Sequence, residues 1–289
     1  MSEVEEIRLA GARLGLAARA HGPRDGIPVL ALHGWLDNAA SFDPLAPWLA
    51  GVRLVALDLA GHGRSDHRPP GCAYHFVDYA DDVLDAADAL GWERFSLLGH
   101  SLGGAVATLV AAARPGRVER LALVEALGPL SEEPGALPAR LARGVQRAAP
   151  DTGRAPRTYA RIEDVVAARQ RAGDLDADSA RLLVERATES VSGGVRWRSD
   201  PRLRRPTAYR FTEEQVLAVL GAIRAPTRVV IAVDGLLPPD HPGVQRRLEA
   251  IADRSVRYCR GHHHVHMAAP GSVAAALAGF PGGPGRDAD

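Results

Sequence analysis

Apolar residues form short continuous runs that alternate with amphipathic stretches along the first half of the chain. The apolar runs lie at residues 28–32, 53–59, 95–98 and 118–124, and helical spacing covers residues 39–49, 75–90 and 102–113. Unbroken apolar runs are typical of parallel strands that are buried on both faces, and the helices between them serve as crossovers. The pattern therefore predicts an α/β fold with a mostly parallel sheet.

Residues 4–20 follow a different pattern, because their apolar side chains alternate with polar ones around the turn Gly11-Ala12. A period of two is typical of half-buried antiparallel strands. We therefore expect a leading antiparallel hairpin before the parallel sheet begins.

The alternation stops after residue 127. Residues 128–210 are rich in Arg, Ala, Pro and acidic residues, with helical spacing at 162–171 and 179–189 and no predicted strand. The α/β pattern returns with strands at 228–233 and 256–259 and helices near 243–252 and 272–280. We predict an α/β core from residues 1–127 and 213–280, a helical cap at 128–212, and a flexible tail at 281–289.

The pentapeptide Gly99-His100-Ser101-Leu102-Gly103 matches G-x-S-x-G between a predicted buried strand and a predicted helix. This motif needs a sharp strand-turn-helix context, in which small residues flank a strained central residue. The turn presents the Ser101 hydroxyl above the sheet at the positive end of a helix, where a developing oxyanion is stabilised. Ser101 is therefore the candidate nucleophile, and the alternative is a serine that only caps a helix.

An oxyanion hole needs a second backbone donor from the loop after an earlier strand. His33-Gly34-Trp35-Leu36 occupies that place. The two donors are then expected to be the N–H groups of Trp35 and Leu102, where the identity of the side chain matters little.

A serine nucleophile needs a histidine base, and Gly261-His262-His263-His264-Val265-His266 follows the last predicted strand. Several of these histidines compete for the role. A metal site is the rival interpretation, since His263 and His266 can share a helix face, but no neighbouring Asp, Glu or Cys completes a ligand set. We expect no metal there.

Two carboxylates are candidates for the residue that orients the base. Asp234 and Glu125 each follow a predicted strand. Asp234 is preferred because it lies between Ser101 and the histidines, on the strand just before the final βαβ unit, in the chain order Ser, acid, His. Glu125 is the alternative acid.

Composition narrows the chemistry further. Basic and acidic residues both number 35, so the net charge is zero and no nucleic-acid partner is expected. All the basic residues are arginine, which excludes lysine Schiff-base chemistry, including that of pyridoxal phosphate, and a P-loop. The beginning of the chain lacks the features of a secretory signal, and no apolar run approaches the ~20 residues of a membrane span. We expect a cytoplasmic protein that acts on a small molecule without a cofactor, and nothing indicates its oligomeric state.

With these residues assembled, the chain resembles the α/β-hydrolase superfamily and, within it, the serine hydrolase-like protein family. The resemblance covers residues 4–280 and is carried by LHGWLDNAASFDPLAPWL at 32–49, LDLAGHGRSDHRP at 57–69, FSLLGHSLGG at 95–104 and DPRLRRPTAYRFTEEQVLAVL at 200–220. It implies an α/β-hydrolase fold with a Ser, acid and His triad.

The resemblance also bears on the base and the acid. The family places its catalytic histidine a fixed distance before a proline, and counting back from Pro270 selects His263, with His262 and His264 as the alternatives. The usual glutamate of that segment is Ala268 here. The family pattern supports Asp234, although the acid stands about one residue early, and some relatives carry it after the preceding strand, where Glu125 lies.

The first functional hypothesis is hydrolysis of an ester-like or other acyl substrate through Ser101 and an acyl-enzyme. The resemblance also extends to the related haloalkane dehalogenases and epoxide hydrolases. Those enzymes use an aspartate at this position, so Ser101 argues against both activities. The second hypothesis is a ligand-binding or receptor-like protein that keeps the fold and a slow residual hydrolysis.

Overall fold

The structure is a computed structural model that describes residues 4–10, 14–145, 157–173 and 175–282. Its strands are β1 Glu5–Ala10, β2 Gly15–His21, β3 Ile27–Leu32, β4 Val52–Leu57, β5 Phe95–His100, β6 Val118–Val124, β7 Thr158–Tyr159, β8 Thr188–Val191, β9 Gly194–Trp197, β10 Thr227–Ala232 and β11 Arg254–Cys259. Its α-helices are α1 Asp78–Ala89, α2 Leu102–Ala113, α3 Leu137–Gly144, α4 Ile162–Ala172, α5 Ala177–Ala187, α6 Glu213–Gly221, α7 Pro242–Ala250, α8 Val265–Ala268 and α9 Pro270–Ala276.

The main sheet runs in the order β1-β2-β4-β3-β5-β6-β10-β11 within the described ranges. The pairs β1 with β2 and β2 with β4 are antiparallel, and the remaining pairs are parallel. The predicted fold, a mostly parallel sheet with a leading antiparallel hairpin, is therefore confirmed. The predicted turn at Gly11-Ala12 lies outside the described residues. The carboxyl ends of β3, β5, β6 and β10 lie side by side, and this carboxyl edge carries the site.

Apolar layers cover both faces of the sheet. Leu30 and Leu32 of β3 belong to the layer beneath α1, α2, α6 and α7. Val29 and Ala31 of the same strand belong to the opposite layer, with residues of α8 and α9. Because both faces are buried, the central strands contain apolar residues at successive positions, which explains the unbroken runs in the sequence.

The predicted helix at residues 39–49 is not an α-helix. The segment forms two 3-10 turns, at Ala39–Phe42 and Ala46–Trp48. Pro44 and Pro47 lack the backbone N–H that a continuing helix needs, and their rings clash with the preceding turn. The segment still packs its apolar side chains, including Phe42 and Leu45, into the core.

Between β6 and α6 the chain leaves the sheet and forms an insertion, residues 125–212, which contains α3, α4 and α5. It also contains the antiparallel sheet β7-β9-β8, so the expectation that no strand forms between residues 128 and 210 is wrong. These strands have two to four residues, which is too short for a period of two to show. The predicted helix at 179–189 therefore extends two residues too far at its C-terminal end, since Thr188 and Glu189 belong to β8.

The insertion has its own apolar cluster, separate from the two core layers, which Met267 of α8 joins. Val165 of α4 and Leu183 of α5 pack with Met267 of α8, and Met267 lies in the segment just after the histidine run. No helix in the described ranges combines the length and the apolar character that a membrane span requires. From residue 283 onward the predicted tail lies outside the described residues.

Candidate active site

Ser101 lies at the sharp turn between β5 and α2. Its φ of 51° and ψ of −116° place it in a strained backbone region, and its N–H donates to the carbonyl of Val124 at 3.1 Å. A Cβ on Gly99 would lie 2.4 Å from the Cα of Gly104, and a Cβ on Gly103 would lie 2.0 Å from the carbonyl oxygen of Leu32. The turn can therefore be this tight only with glycine on both sides of the serine, as the motif predicted.

The residues predicted to form the oxyanion hole lie on adjoining elements. β3 pairs with β5, and the first turn of α2 packs against the end of β3, so Leu102 lies close to the loop of residues 33–38, called here the oxyanion loop. The first N–H of a helix has no acceptor inside the helix. Within the described part of the chain, neither the Trp35 N–H nor the Leu102 N–H donates to another backbone group. Neither amide is therefore committed to a backbone acceptor.

His263 lies at the same edge and is held by a carboxylate. Its Nδ1 is 3.2 Å from Oε2 of Glu125, whose side chain is completely buried. The carbonyl of His263 accepts a hydrogen bond from Nε2 of His100, the residue before Ser101, at 2.9 Å. The imidazole of His263 is 18% exposed, so one side of it faces the space above the sheet.

The structure places Glu125, the alternative acid, rather than the preferred Asp234 at Nδ1 of His263. Asp234 is exposed, and its backbone rather than its carboxylate faces the histidine run, through its N–H to the carbonyl of Gly261. The loop that carries Asp234 instead cradles Glu125, which accepts from the N–H groups of Ala232 at 2.7 Å and Leu236 at 2.8 Å.

Gly235 explains how this cradle fits. A Cβ at Gly235 would lie 2.2 Å from Oε2 of Glu125, so any larger residue would displace the carboxylate. Glu125 itself has a φ of 52°, which turns its side chain from the end of β6 towards the end of β10. The acid therefore comes from one strand and its binding pocket from the next.

The other histidines of the run lie elsewhere. His262 is exposed, and its Nδ1 is 3.4 Å from the carbonyl of Asp234. His264 is buried, with Nε2 at 3.1 Å from Oδ2 of Asp37. His266 is fully buried, and burial lowers its pKa to about 3. The sequence-based preference for His263 among the alternatives therefore agrees with its contact to a carboxylate beside the Ser101 turn.

Asp37 and Arg169 were not singled out by the sequence. Asp37 is 2% exposed and binds Arg169 of α4 through Oδ1 at 2.5 Å. Burial alone would raise the pKa of Asp37, but the hydrogen bond from His264 and the charge of Arg169 hold that pKa well below its ordinary value. An ionised Asp37 thus joins the oxyanion loop, the histidine run and the insertion. No local pattern marks Arg169, which is one arginine in an arginine-rich segment.

His100 is the remaining polar residue of this cluster. Burial, and then the neighbouring imidazoles, lower the pKa of His100 well below its ordinary value. Its ring centroid lies 4.7 Å from that of His263 and 4.1 Å from that of His266. His100 is therefore a neutral ring that packs between the Ser101 turn and the histidine run.

Comparison with known proteins agrees with this architecture. The α/β hydrolase fold family matches residues 27–198. A serine hydrolase-like protein of Dictyostelium discoideum is 33% identical over 286 residues, covering 92% of this chain and 78% of that protein.

Among solved structures, a hypothetical protein of Pseudomonas aeruginosa is 43% identical with a TM-score of 0.88, covering 94% of this chain and 96% of the other. A thioesterase domain from the curacin biosynthetic pathway is 25% identical with a TM-score of 0.83, covering 96% of this chain and 99% of the other. The chain belongs to the α/β hydrolase fold family and, within it, to the serine hydrolase-like proteins.

Proposed function

We propose that the protein is a serine hydrolase that cleaves an ester-like or other acyl substrate, with Ser101, His263 and Glu125 as its triad. The observation that carries the proposal is the hydrogen bond from His263 to Glu125 beside the strained Ser101 turn. A nucleophile, a base and a carboxylate that orients the base are the components of this chemistry. Two backbone amides, those of Trp35 and Leu102, supply the fourth component.

In the proposed reaction, Oγ of Ser101 attacks the substrate carbonyl carbon while Nε2 of His263 accepts the hydroxyl proton. The carbonyl oxygen becomes an oxyanion that receives hydrogen bonds from the Trp35 and Leu102 N–H groups. His263 then returns the proton to the leaving group as the bond to the carbonyl carbon breaks. Water, activated by the same imidazole, cleaves the resulting acyl-serine and restores the free hydroxyl.

Glu125 acts in this scheme by holding the imidazole in one orientation. Its two oxygens accept from Ala232 and Leu236, so the carboxylate cannot rotate away from His263. With Nδ1–H of His263 directed at Oε2, Nε2 carries the free lone pair that a base needs. The same carboxylate stabilises the imidazolium that forms when Ser101 loses its proton.

The substrate class proposed is a carboxylic ester or a related acyl compound. The thioesterase domain that resembles this chain acts on a thioester, as its name states, and the proposed mechanism applies equally to oxygen and sulfur leaving groups. The insertion contacts the oxyanion loop at Trp35, Asp37 and Asn38, so we place the choice of substrate there.

Labelling by a fluorophosphonate tests the proposal, because this reagent modifies only an activated serine. We expect Ser101→Ala to abolish labelling and the turnover of p-nitrophenyl esters while circular dichroism stays unchanged. Ser272→Ala, at an exposed serine next to the histidine run, is the matched control and should be labelled like the wild type. Labelling that persists in Ser101→Ala would refute the assignment, and a wild type that is never labelled would favour the ligand-binding alternative.

A further inference from the structure

Three buried side chains from separate parts of the chain each direct one ligand atom into the same small space. Asp37 of the oxyanion loop, His100 before Ser101 and His264 after His263 are 2%, 0% and 8% exposed. One carboxylate oxygen and one nitrogen from each ring all lie within 4.8 Å of one another. We propose that these residues bind one divalent transition-metal ion. Zn²⁺ is the ion that suits them best.

His100 presents an unprotonated nitrogen to this space. Its Nε2 lies 2.9 Å from the carbonyl oxygen of His263, and because a carbonyl only accepts, Nε2 carries the proton. Nδ1 of the neutral ring is then a lone pair, and it is buried with no hydrogen-bond partner among the described residues. Oδ2 of Asp37 lies 3.8 Å from it. A cation between these two buried electron-rich atoms would stabilise both of them.

The third ligand atom is Nε2 of His264, 3.1 Å from the same Oδ2. Ligands that each lie about 2.0 Å from a tetrahedral ion are about 3.3 Å from one another. The two measured spacings at Oδ2 of Asp37, 3.1 and 3.8 Å, lie on either side of that value. Binding an ion therefore requires Nε2 of His264 to move slightly away from Oδ2 and Nδ1 of His100 to move towards it.

The residues around two of the three ligands, His100 and Asp37, already hold them as a metal site requires. A ligating histidine usually donates its other N–H to a carbonyl or carboxylate, and His100 does so to His263. A ligating carboxylate usually has its second oxygen hydrogen-bonded, and Arg169 binds Oδ1 of Asp37. Gly34 leaves room for the ion, because a Cβ there would lie 2.8 Å from Oδ2 of Asp37 and 3.0 Å from Nδ1 of His100.

The donor set decides the class of ion. Two imidazoles and one carboxylate suit Zn²⁺ and its transition-metal neighbours, whereas Ca²⁺ and Mg²⁺ prefer oxygen ligands alone. A neutral His264 becomes a ligand by moving its proton from Nε2 to Nδ1, which frees the lone pair on Nε2.

The site adjoins Ser101 and His263, because His100 precedes Ser101 and His264 follows His263. We therefore expect the ion to have a second effect. Moving His100 and His264 into place around the ion shifts the Ser101 turn and the backbone of His263, and we expect hydrolysis to slow when the site is filled. This effect rests on the proposed function, whereas binding of the ion does not.

Calorimetric titration of Zn²⁺ into chelator-treated Ser101→Ala protein tests the binding alone, since this variant is inactive under the proposed function. We expect one ion per chain, and visible ligand-field absorption when Co²⁺ replaces Zn²⁺. His264→Gln should weaken binding about tenfold or more, and Gly34→Ala, which fills the space for the ion, should do the same. His262→Gln, at the exposed neighbouring histidine, is the matched control and should bind like its parent.

Two results would overturn the proposal. One is the absence of stoichiometric binding in a parent protein whose circular dichroism shows it to be folded. The other is binding that survives in folded His264→Gln and Gly34→Ala proteins but is lost in His262→Gln, which would mean that exposed histidines capture an adventitious ion only. Binding to Ser101→Ala together with an unlabelled wild type would keep the metal site and reject the hydrolase, so the two proposals fail separately.

Discussion

Glu125 emerges from the end of β6 in the left-handed backbone region, and its carboxylate is held by two backbone amides and one imidazole. Replacing it with Gln keeps the shape but presents an amide that no longer fixes the imidazole tautomer. We expect Glu125→Gln to lower kcat for p-nitrophenyl esters by about four orders of magnitude, as for the loss of the carboxylate in other triads. Steady-state kinetics on the purified variant measure this.

Asp234→Asn is the control, because Asp234 follows the neighbouring strand but is exposed. Its kcat should stay within about twofold of the wild type, as for a surface substitution that removes no catalytic contact. The reverse ranking of the two variants would mean that Asp234 is the working acid.

At the scale of single residues, local sequence was sufficient to predict the sharp turn at Ser101 but not which carboxylate contacts His263. The glycines around Ser101 are needed within the motif itself, so the turn can be recognised without knowing the fold. Glu125 and Asp234 both follow apolar strands and look equivalent in the sequence. Which of them reaches His263 depends on the space that Gly235 leaves in the loop after the neighbouring strand β10, and no local pattern predicts that.

The histidine run shows the same limit. In the sequence, no acidic residue accompanies the histidines, and this absence argues against a metal site. The fold brings Asp37 from the oxyanion loop to within 3.1 Å of His264. A contact between residues that are 227 positions apart cannot be inferred from spacing.

Among the elements, α5 attaches the insertion to the core through a buried ion pair. Arg186 is 3% exposed and binds Asp58, which is completely buried, and also Glu6 of β1. Removing one partner of a buried pair leaves the other charge uncompensated. We expect Arg186→Met to lower the free energy of unfolding by about 3–5 kcal/mol, measured by urea denaturation.

Arg181 in the same helix provides the comparison. It is 45% exposed and forms ion pairs at 3.8 and 3.9 Å with Glu163 and Glu185. Arg181→Met should change stability by no more than about 0.5 kcal/mol, since exposed pairs contribute little. Equal effects for the two variants would contradict the assignment of Arg186 as the buried link.

Periodicity predicted the bounds of helices and strands more accurately in the core than in the insertion. The ranges of α2 and β6 match the prediction residue for residue, since each is a long, strongly apolar segment. β8 and β9 were missed because their four residues each pack against an insertion that has its own small core. Tertiary context, rather than propensity, makes these segments strands.

For the whole molecule, Asp82 makes stability depend on pH. It is 3% exposed on α1, and burial raises its pKa from 3.8 to about 6 although Arg68 beside it acts in the opposite direction. Between these two values the folded chain keeps a proton that the unfolded chain has released. Stability from this group is therefore complete below about pH 4 and is lost as pH rises through about 6, by about 2–3 kcal/mol in total.

We expect Asp82→Asn to remove this decrease, so that urea denaturation between about pH 4 and pH 7 gives a flatter profile than the wild type. Asp88→Asn is the control on the same helix, because the Asp88 side chain is 63% exposed, and its profile should follow the wild type. An unchanged slope in Asp82→Asn would show that Asp82 does not hold the proton.

Three side-chain hydrogen bonds join the insertion to the oxyanion loop. Besides Asp37 and Arg169, the side chain of Asn38 donates to the carbonyl of Leu183 at 2.8 Å, and the indole N–H of Trp35 donates to the carbonyl of Leu203 at 3.2 Å. The insertion leaves the sheet at the carboxyl edge, where ligands bind in open α/β sheets. Its position should therefore govern which substrates enter, while the backbone amide of Trp35 stabilises the oxyanion in the proposed mechanism.

Trp35→Phe separates these two roles, because it removes the indole N–H and keeps both the aromatic ring and the backbone amide. Loss of one hydrogen bond, about 0.5–1.5 kcal/mol, should loosen the insertion and change the KM values of p-nitrophenyl esters by about 2- to 10-fold. The change should grow with the length of the acyl chain, because a longer chain extends further under the insertion. The kcat for the acetate and the rate of fluorophosphonate labelling should stay near those of the wild type, since the oxyanion donors are intact. A uniform fall in kcat for every ester would instead mean that the indole supports the oxyanion loop itself, and an unchanged KM series would remove the insertion from substrate selection.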